Sequence, residues 1–426
     1  MLHFCETFFS EKLFQVIENF LVFHASKIGE IIFLELFFIF KTALRPGWNG
    51  MFKLFLFGSA ADETKKRVVT AGRGAPKISA KICTFTGMKR KVLLIYTGGT
   101  IGMEKDYETG SLVPFNFENI FKKIPEMRLL ECEVSVHPFK EPLDSSDMGP
   151  EQWKIIANYI DKNYEKFDGF LILHGTDTMA YTASALSFML KGLKKPVILT
   201  GSQLPIGDLR TDAKENLLTS LYYASLYEND EAVIQEVTVY FEYKLLRGNR
   251  TLKYSAEYFD AYESPNYPIL GQSGVHLNVD KEALYRDSSN EKFSVDLHIS
   301  QDVLFWRIFP GMTLDHFAEI PKMKVLILQV FGSGTIFNTE KTAVTLQKIR
   351  DNGTEIVVVS QCVSGGISFG KYENSNVFTK VGAISGTDIT AESAITKAMH
   401  LMDNPNYSGT FAENFTKNLR GEISEN

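Results

Sequence analysis

Two glycine-flanked threonines carry the chemistry this sequence could perform. One lies in Lys91–Met103, KVLLIYTGGTIGM, and the other in Leu171–Ala183, LILHGTDTMAYTA. Each follows an apolar run rich in β-forming residues and precedes a stretch with helical character. In an open parallel α/β sheet the loops after the strands gather at the carboxyl edge, and ligands bind there. Thr97 and Thr100 are therefore expected beside Thr176 and Asp177, although roughly 80 positions separate them in the chain. A hydroxyl beside a carboxylate, near a second hydroxyl on a glycine-loosened loop, suits attack on a small polar substrate.

The elements that must position these loops follow from hydrophobic pattern. Val92–Tyr96, Gly169–Leu173, Pro196–Thr200 and Glu236–Phe241 read as strands, and the continuous apolar runs suit a parallel sheet covered on both faces. Cys132–His137 is a further strand candidate. Pro150 fits a first helical turn, and Trp153, Ile156, Ala157 and Ile160 then recur at helical spacing. Helices are also expected from near Asn116 through Ile120 and Ile124, over Thr182–Leu190 and over Lys214–Tyr227. Met103–Val113, charged and carrying Gly110, reads as a mobile flap. Residues 279–300 lose apolar periodicity and read as an interdomain connection. Beyond them, strands over Val325–Phe331 and Glu355–Gln361 and helices over Glu340–Arg350 and Ala391–Met402 form a second unit. Alternating strand and helix predict an α/β fold of two domains. The larger N-terminal one has a mostly parallel sheet with helices on both faces, and the smaller C-terminal one is also α/β.

Residues 1–87 differ from the rest. The densest apolar stretch, Ile31–Phe40, is ten residues long and contains Glu35. A membrane span needs about 20 mainly apolar residues, and Glu18, His24, Lys27, Glu30 and Glu35 interrupt any longer window. Glu6 and Glu11 replace the basic start of a secretory signal, and no cleavage site follows. Residues 58–87 read as linker or disorder. An anchor and an added domain are both alternatives, but the preferred expectation is that this segment is not native and that the chain starts at Met88.

The chain has 426 residues, 44% hydrophobic and 23% charged, with a formal net charge of −6. That balance is globular and argues against nucleic acid as a partner. Cys5, Cys83, Cys132 and Cys362 have no paired or metal-binding spacing, so free thiols in a reducing, cytoplasmic compartment are expected. No His/Cys/Asp/Glu cluster has metal spacing and no phosphate loop is present, so neither metal nor cofactor is expected.

TGGTIG at Thr97–Gly102 and HGTDTMAYTASALSFML at His174–Leu190, extended by DSSDM at Asp144–Met148, GSQ at Gly201–Gln203, RGNRTLK at Arg247–Lys253 and SGTDIT at Ser385–Thr390, occur in an order that resembles the bacterial-type, type I L-asparaginases. The similarity begins near Met88, where MKRKVLLIYTGG also looks like a family N-terminus, and runs to the C-terminus. The resemblance implies an N-terminal catalytic domain over 88–278, a linker over 279–299 and a C-terminal domain over 300–426. It implies hydrolysis of L-asparagine to L-aspartate and ammonia by a cytoplasmic homodimer or tetramer.

The resemblance also assigns roles. Thr100 is the nucleophile, although a threonine there could otherwise merely cap the next helix. Thr176 and Lys253 assist proton transfer and activate water, and Asp177 accepts the substrate α-ammonium group. Ser145 and Ser146 bind the α-carboxylate, while Asp144 and Asp147 are structural or face the ammonium end. His174 is expected to hold its loop rather than to act on substrate. The sequence departs from the family at the flap tyrosine: the usual position falls near Ser111–Leu112, leaving Tyr107 and Tyr372 as candidates to partner Thr100. A regulatory asparagine site of some type I enzymes resembles Cys362 here. Gln329 and Leu252 replace its arginine and threonine, which implies loss of that regulation.

Two other readings stand beside this one. An asparaginase-like subunit of a tRNA-dependent amidotransferase resembles the same core but would carry a β-rich extension. A non-catalytic amino-acid sensor would not need the nucleophile and the relay together.

Overall fold

The computed structural model describes residues 89–425 except 106–107, 110–111, 115–119, 121–123, 288, 290, 313–322 and 338. The extension before Met88, Tyr107 and most of the helix expected from Asn116 lie outside the described residues. Of that helix, Ile120 and Ile124 are described, both fully buried and joined by the Ile124 N–H donating to the Ile120 carbonyl at 2.8 Å.

An eight-stranded sheet organises the first part of the chain. Its parallel half consists of β1 (Arg90–Gly98), β4 (Cys132–Leu143), β5 (Gly169–Leu173), β6 (Val197–Thr200) and β7 (Val237–Phe241), in the spatial order β4-β1-β5-β6-β7. Antiparallel strands β8 (Lys244–Arg247), β11 (Gly271–Gln272) and β12 (Asn278–Val279) extend it. Alternation along β1 sends Val92, Leu94 and Tyr96 into one core with Leu217 and Leu221 of α3 (Ala213–Ala224). Leu93 and Ile95 enter the opposite core with Trp153 and Ile156 of α1 (Pro150–Asn163) and Leu186 of α2 (Met179–Met189). Two-faced burial explains why the strands read as unbroken apolar runs.

The segment expected to form a flap is a hairpin at its described ends. Strand β2 (Met103–Lys105) pairs antiparallel with β3 (Leu112–Pro114). Strand β4 runs six residues past the expected His137, through Pro138 and Pro142. It is an edge strand, where a missing N–H breaks no ladder on the open side. Helix α3 stops before the expected Tyr227 because the Ser225 hydroxyl donates to the Leu221 and Tyr222 carbonyls, each at 3.0 Å, which closes the last turn.

The second part is a four-stranded parallel sheet: β13 (Val303–Arg307), β14 (Val325–Val330), β15 (Glu355–Ser360) and β16 (Ile384–Ser385), in that spatial order. Leu326 and Leu328 meet Leu346 of α4 (Glu340–Asp351) on one face. Val325 and Ile327 meet Ala394 and Ala398 of α5 (Ala391–Leu401) on the other. Helices α2 and α5 pack together, with the Phe188 and His400 rings 6.2 Å apart between centroids.

A buried ion pair anchors the chain end to this junction. Lys397 of α5 and Glu422 are both fully buried and 2.5 Å apart. Burial alone would raise the Glu422 pKa, but the Lys397 ammonium and the amides of Leu419 and Arg420 outweigh it and hold it down. Its contribution to stability is therefore present above the ordinary glutamate value of 4.5 and is lost as pH falls through the depressed folded value. Removing one partner strands a buried charge. Glu422→Gln should cost about 3 kcal/mol, read as a Tm lowered by about 5 °C or more in thermal unfolding. Glu422→Gln combined with Lys397→Met should recover most of that loss, and an additive loss would show that the pair is not the source.

Candidate functional site

Three loops meet at the carboxyl edge of the parallel strands. The first follows β1 and carries Gly98-Gly99-Thr100. The second follows β4 and carries Asp144–Asp147. The third follows β5 and carries His174–Asp177. Gly99 has φ 86°, and a Cβ there would lie 2.5 Å from Gly175 Cα. A Cβ on Gly175 would lie 2.6 Å from Ser145 Oγ. Side chains at either position would push the loops apart. Thr97 Oγ1 donates to the Leu173 carbonyl at 2.9 Å and ties the end of β1 to the end of β5.

Thr100 opens a 3-10 turn, Thr100–Gly102, and is partly exposed, while Thr97 is buried. Of the two, only Thr100 is open to solvent. Ser145 is buried: its Oγ accepts from the Asp177 N–H at 3.3 Å, and its carbonyl accepts from Thr178 Oγ1 at 2.6 Å. Ser146 is exposed, and its N–H and hydroxyl both donate to Asp144 Oδ1 at 2.8 Å. Asp144 thus caps the turn, and the two bonds from Ser146 hold its carboxyl below the usual range.

Lys253 reaches this loop cluster from β9 (Leu252–Lys253), which pairs with β10 (Tyr262–Glu263). Its Nζ donates to Thr176 Oγ1 at 2.8 Å and to Asp177 Oδ1 at 2.7 Å. Its side chain is 17% exposed, whereas that of Asp177 is 67% exposed, so the carboxylate keeps a face toward solvent. Because Thr176 Oγ1 accepts from Lys253, its own proton is left to donate, and Gln203 Oε1 lies 3.5 Å away. Gln203 Nε2 is tied to the Tyr258 carbonyl at 2.9 Å, which fixes the amide with Oε1 toward Thr176.

Sequence reasoning gave no role to Gln203 or Tyr262. The Tyr262 hydroxyl donates to the Thr176 carbonyl, and its ring is buried. Burial, then the charge of Asp177, pushes its pKa well up. The GSQ motif was the available signal for Gln203. Tyr262 had none, since its place depends on pairing with β9.

The structure places Tyr372 at the start of a 3-10 turn in the second α/β unit, 51% exposed, with Lys371 Nζ 5.9 Å from its ring centroid. Gln329 on β14 gives its Nε2 to the Ser360 carbonyl at 3.1 Å, and Cys362 is exposed. Leu252 sits on β9 beside Lys253, partly buried. Among the described residues no group of His, Cys, Asp and Glu is arranged to hold a metal ion, and no helix is long and apolar enough to cross a membrane.

His174 is fully buried. The Gly175 carbonyl 2.7 Å from Nδ1 can only accept, so Nδ1 carries the proton. Nε2 then accepts from Thr182 Oγ1 at 2.9 Å, and Thr182 accepts from Trp153 Nε1 at 3.0 Å. Burial, against the pull of the Gly175 bond, holds the His174 pKa down to about 4, and burial does the same for His400. Both are neutral when folded and take up protons on unfolding. Their contribution is fully present above about 6.5 and falls toward pH 4. Urea unfolding should show stability falling from pH 6.5 to pH 5, and His174→Gln should flatten that slope. An unchanged slope would mean that His174 titrates normally in the fold.

The chain matches the family description "Asparaginase, N-terminal" over residues 91–285 and "Glutaminase/Asparaginase C-terminal domain" over residues 302–415. It is 39% identical over 342 residues to L-asparaginase 1 of Escherichia coli K12, covering 79% of this chain and 98% of that one. The fold superposes on the crystal structure of L-asparaginase I from Vibrio cholerae with a TM-score of 0.71 at 35% identity, covering 79% of this chain and all of the other. It superposes on the thermostable L-asparaginase from Thermococcus kodakarensis with a TM-score of 0.70 at 27% identity, again over 79% and 100%. With its site motifs in the family order and its two α/β units in the family arrangement, the chain belongs to the bacterial-type, type I asparaginases, a family of hydrolases.

Proposed function

We propose that the protein hydrolyses L-asparagine to L-aspartate and ammonia, with Thr100 as nucleophile and Thr176, Lys253 and Asp177 as the second group. The observation that carries this reading is the Lys253 ammonium bound at once to Thr176 Oγ1 at 2.8 Å and Asp177 Oδ1 at 2.7 Å. Thr176 and Asp177 stand on the loop packed against the turn that bears Thr100, and Lys253 reaches them from β9.

Thr100 Oγ adds to the side-chain amide carbon, the C–N bond breaks, and the hydroxyl proton leaves with ammonia. Water then cleaves the resulting ester, releasing aspartate and restoring Thr100. Lys253 holds Thr176 so that its hydroxyl proton points away from the ammonium, toward a water or Gln203. The solvent-facing part of the Asp177 carboxylate is where the substrate α-ammonium docks. Ser145 and Ser146 serve the α-carboxylate, with Ser146 the more accessible. Tyr107 and Tyr372 remain the candidates for the proton partner of Thr100. A glutamine analogue differs by one methylene, worth only ~1–3 kcal/mol of discrimination, so a weaker glutaminase activity accompanies the main one.

The full chain should release ammonia from asparagine. Thr100→Ala, Thr176→Val and Lys253→Met should each lower kcat at least a hundredfold, about 2.7 kcal/mol of transition-state stabilisation, with near-UV circular dichroism unchanged. Asp177→Asn should chiefly raise KM for asparagine. Thr100→Ala retaining more than a few per cent of activity would remove the nucleophile assignment, and an unchanged KM in Asp177→Asn would place the ammonium elsewhere.

The same reading assigns residues 88–278 and 300–426 to the two domains, joined by 279–299. It places the protein in the cytoplasm as a homodimer or tetramer. Light scattering at micromolar concentration should give a mass of at least two chains, and an active monomer would reject that assembly.

A further inference from the structure

Lys253 is the one member of the proposed catalytic group that does not stand on the loops after β1, β4 or β5. It projects from a two-residue strand, and its ladder partner is the equally short β10. A lysine side chain is long and freely rotating, so its placement depends on how firmly its backbone is held. The preceding turn, Gly248–Arg250, is held from both ends.

At the near end Arg247, 3% exposed, donates through Nε to Glu236 Oε2 at 2.8 Å and through Nη2 to the Ala283 carbonyl at 2.8 Å. Thr251 Oγ1 donates back to the Arg247 carbonyl at 2.6 Å and closes the turn. At the far end Arg250, 1% exposed, spends its guanidinium on residues from the other end of the chain. Nη1 reaches Asp388 Oδ2 at 2.8 Å, Nε the Gly421 carbonyl at 2.7 Å, and Nη2 Ser424 Oγ at 3.3 Å. Ser424 in turn donates to Asp388 twice, from its N–H at 2.9 Å and its hydroxyl at 2.6 Å. Asn249 Nδ2 adds a bond to the Arg420 carbonyl at 3.0 Å.

We propose that Arg250 is a positioning residue for Lys253, and that Asp388 and the C-terminal tail Arg420–Ser424 hold Arg250 for that purpose. This rests on the catalytic role proposed for Lys253. Burying a guanidinium and a carboxylate gains little stability over apolar side chains of the same volume. What the pair supplies is direction: a planar fork engaged on three sides fixes the backbone three residues before Lys253. An error of about 1 Å in a catalytic group costs about a hundredfold in rate, so small slack at Arg250 is amplified at Thr176.

The test is a double-mutant cycle on the full chain, read as ammonia release from asparagine. Arg250→Met should lower kcat ten- to a hundredfold while KM changes less than threefold. In a Lys253→Met background the same substitution should change the residual rate less than twofold, because there is no lysine left to misplace. Arg250→Lys keeps a charge for Asp388 but cannot reach Gly421 and Ser424 together. It should fold and still lose about tenfold in kcat, which covers the case where Arg250→Met misfolds. Should both arginine variants misfold, Ser424→Ala removes only the hydroxyl between Arg250 and Asp388 and should lower kcat about threefold. Folded arginine variants with near-normal kcat, an unchanged kcat in Ser424→Ala, or losses that multiply in the Lys253→Met background would overturn the inference and leave the proposed function standing. A Lys253→Met enzyme that retains its activity would instead reject the role of Lys253, and this inference with it.

Discussion

The site depends on one steric fact: its loops meet where a glycine leaves no Cβ between them. Gly99 stands against Gly175, and Gly175 against Ser145. Three strands far apart in sequence can bring their loops this close only where a Cβ is absent at the contact. A polar side chain then needs to reach only a few ångströms to cross from one loop to the next. That closeness lets Ser145 bond the Asp177 amide and Thr178, and lets Thr97 bond the Leu173 carbonyl. Alanine at Gly99 would not simply add volume. It would require both a left-handed backbone at φ 86° for a residue with a Cβ and the retreat of the loop that carries Thr176.

Much of this was legible in the sequence, for physical reasons. A strand buried on both faces must be apolar throughout, so β1, β5, β6 and β7 announced themselves. The topology then forced their following loops to one edge, and Thr100, Thr176 and Asp177 came with them. Local chemistry that overrides pattern was harder to see. The strand expected to end at His137 runs on through Pro138, which at a sheet edge is harmless. The helix expected to reach Tyr227 ends at Ala224, where the Ser225 hydroxyl bonds the Leu221 and Tyr222 carbonyls.

Least legible was everything that depends on long-range pairing. Tyr262 carries no motif, and its bond to the Thr176 carbonyl exists because β10 lies beside β9. Asp144, which looked awkward beside a carboxylate site, spends its charge on the amide and hydroxyl of Ser146 two positions away. RGNRTLK and SGTDIT were recognisable as motifs, but nothing local says that Arg250 of the first meets Asp388 of the second across 138 positions.

That meeting also explains why the second α/β unit matters to a site built on the first. The parallel sheet supplies Thr100, Thr176 and Asp177 rigidly, because each follows a strand that is buried up to its carboxyl end. Lys253 has no such strand beneath it. Its rigidity comes through the guanidinium of Arg250 from residues near the C-terminus, which are themselves anchored by the buried Glu422–Lys397 pair on α5. The costs of these buried charges are then related. Glu422 fixes the tail to α5, the tail fixes Arg250, and Arg250 fixes the turn before Lys253. An apolar replacement could fill the same volume and preserve the fold, but it would not carry direction from the end of the chain to a single ammonium group.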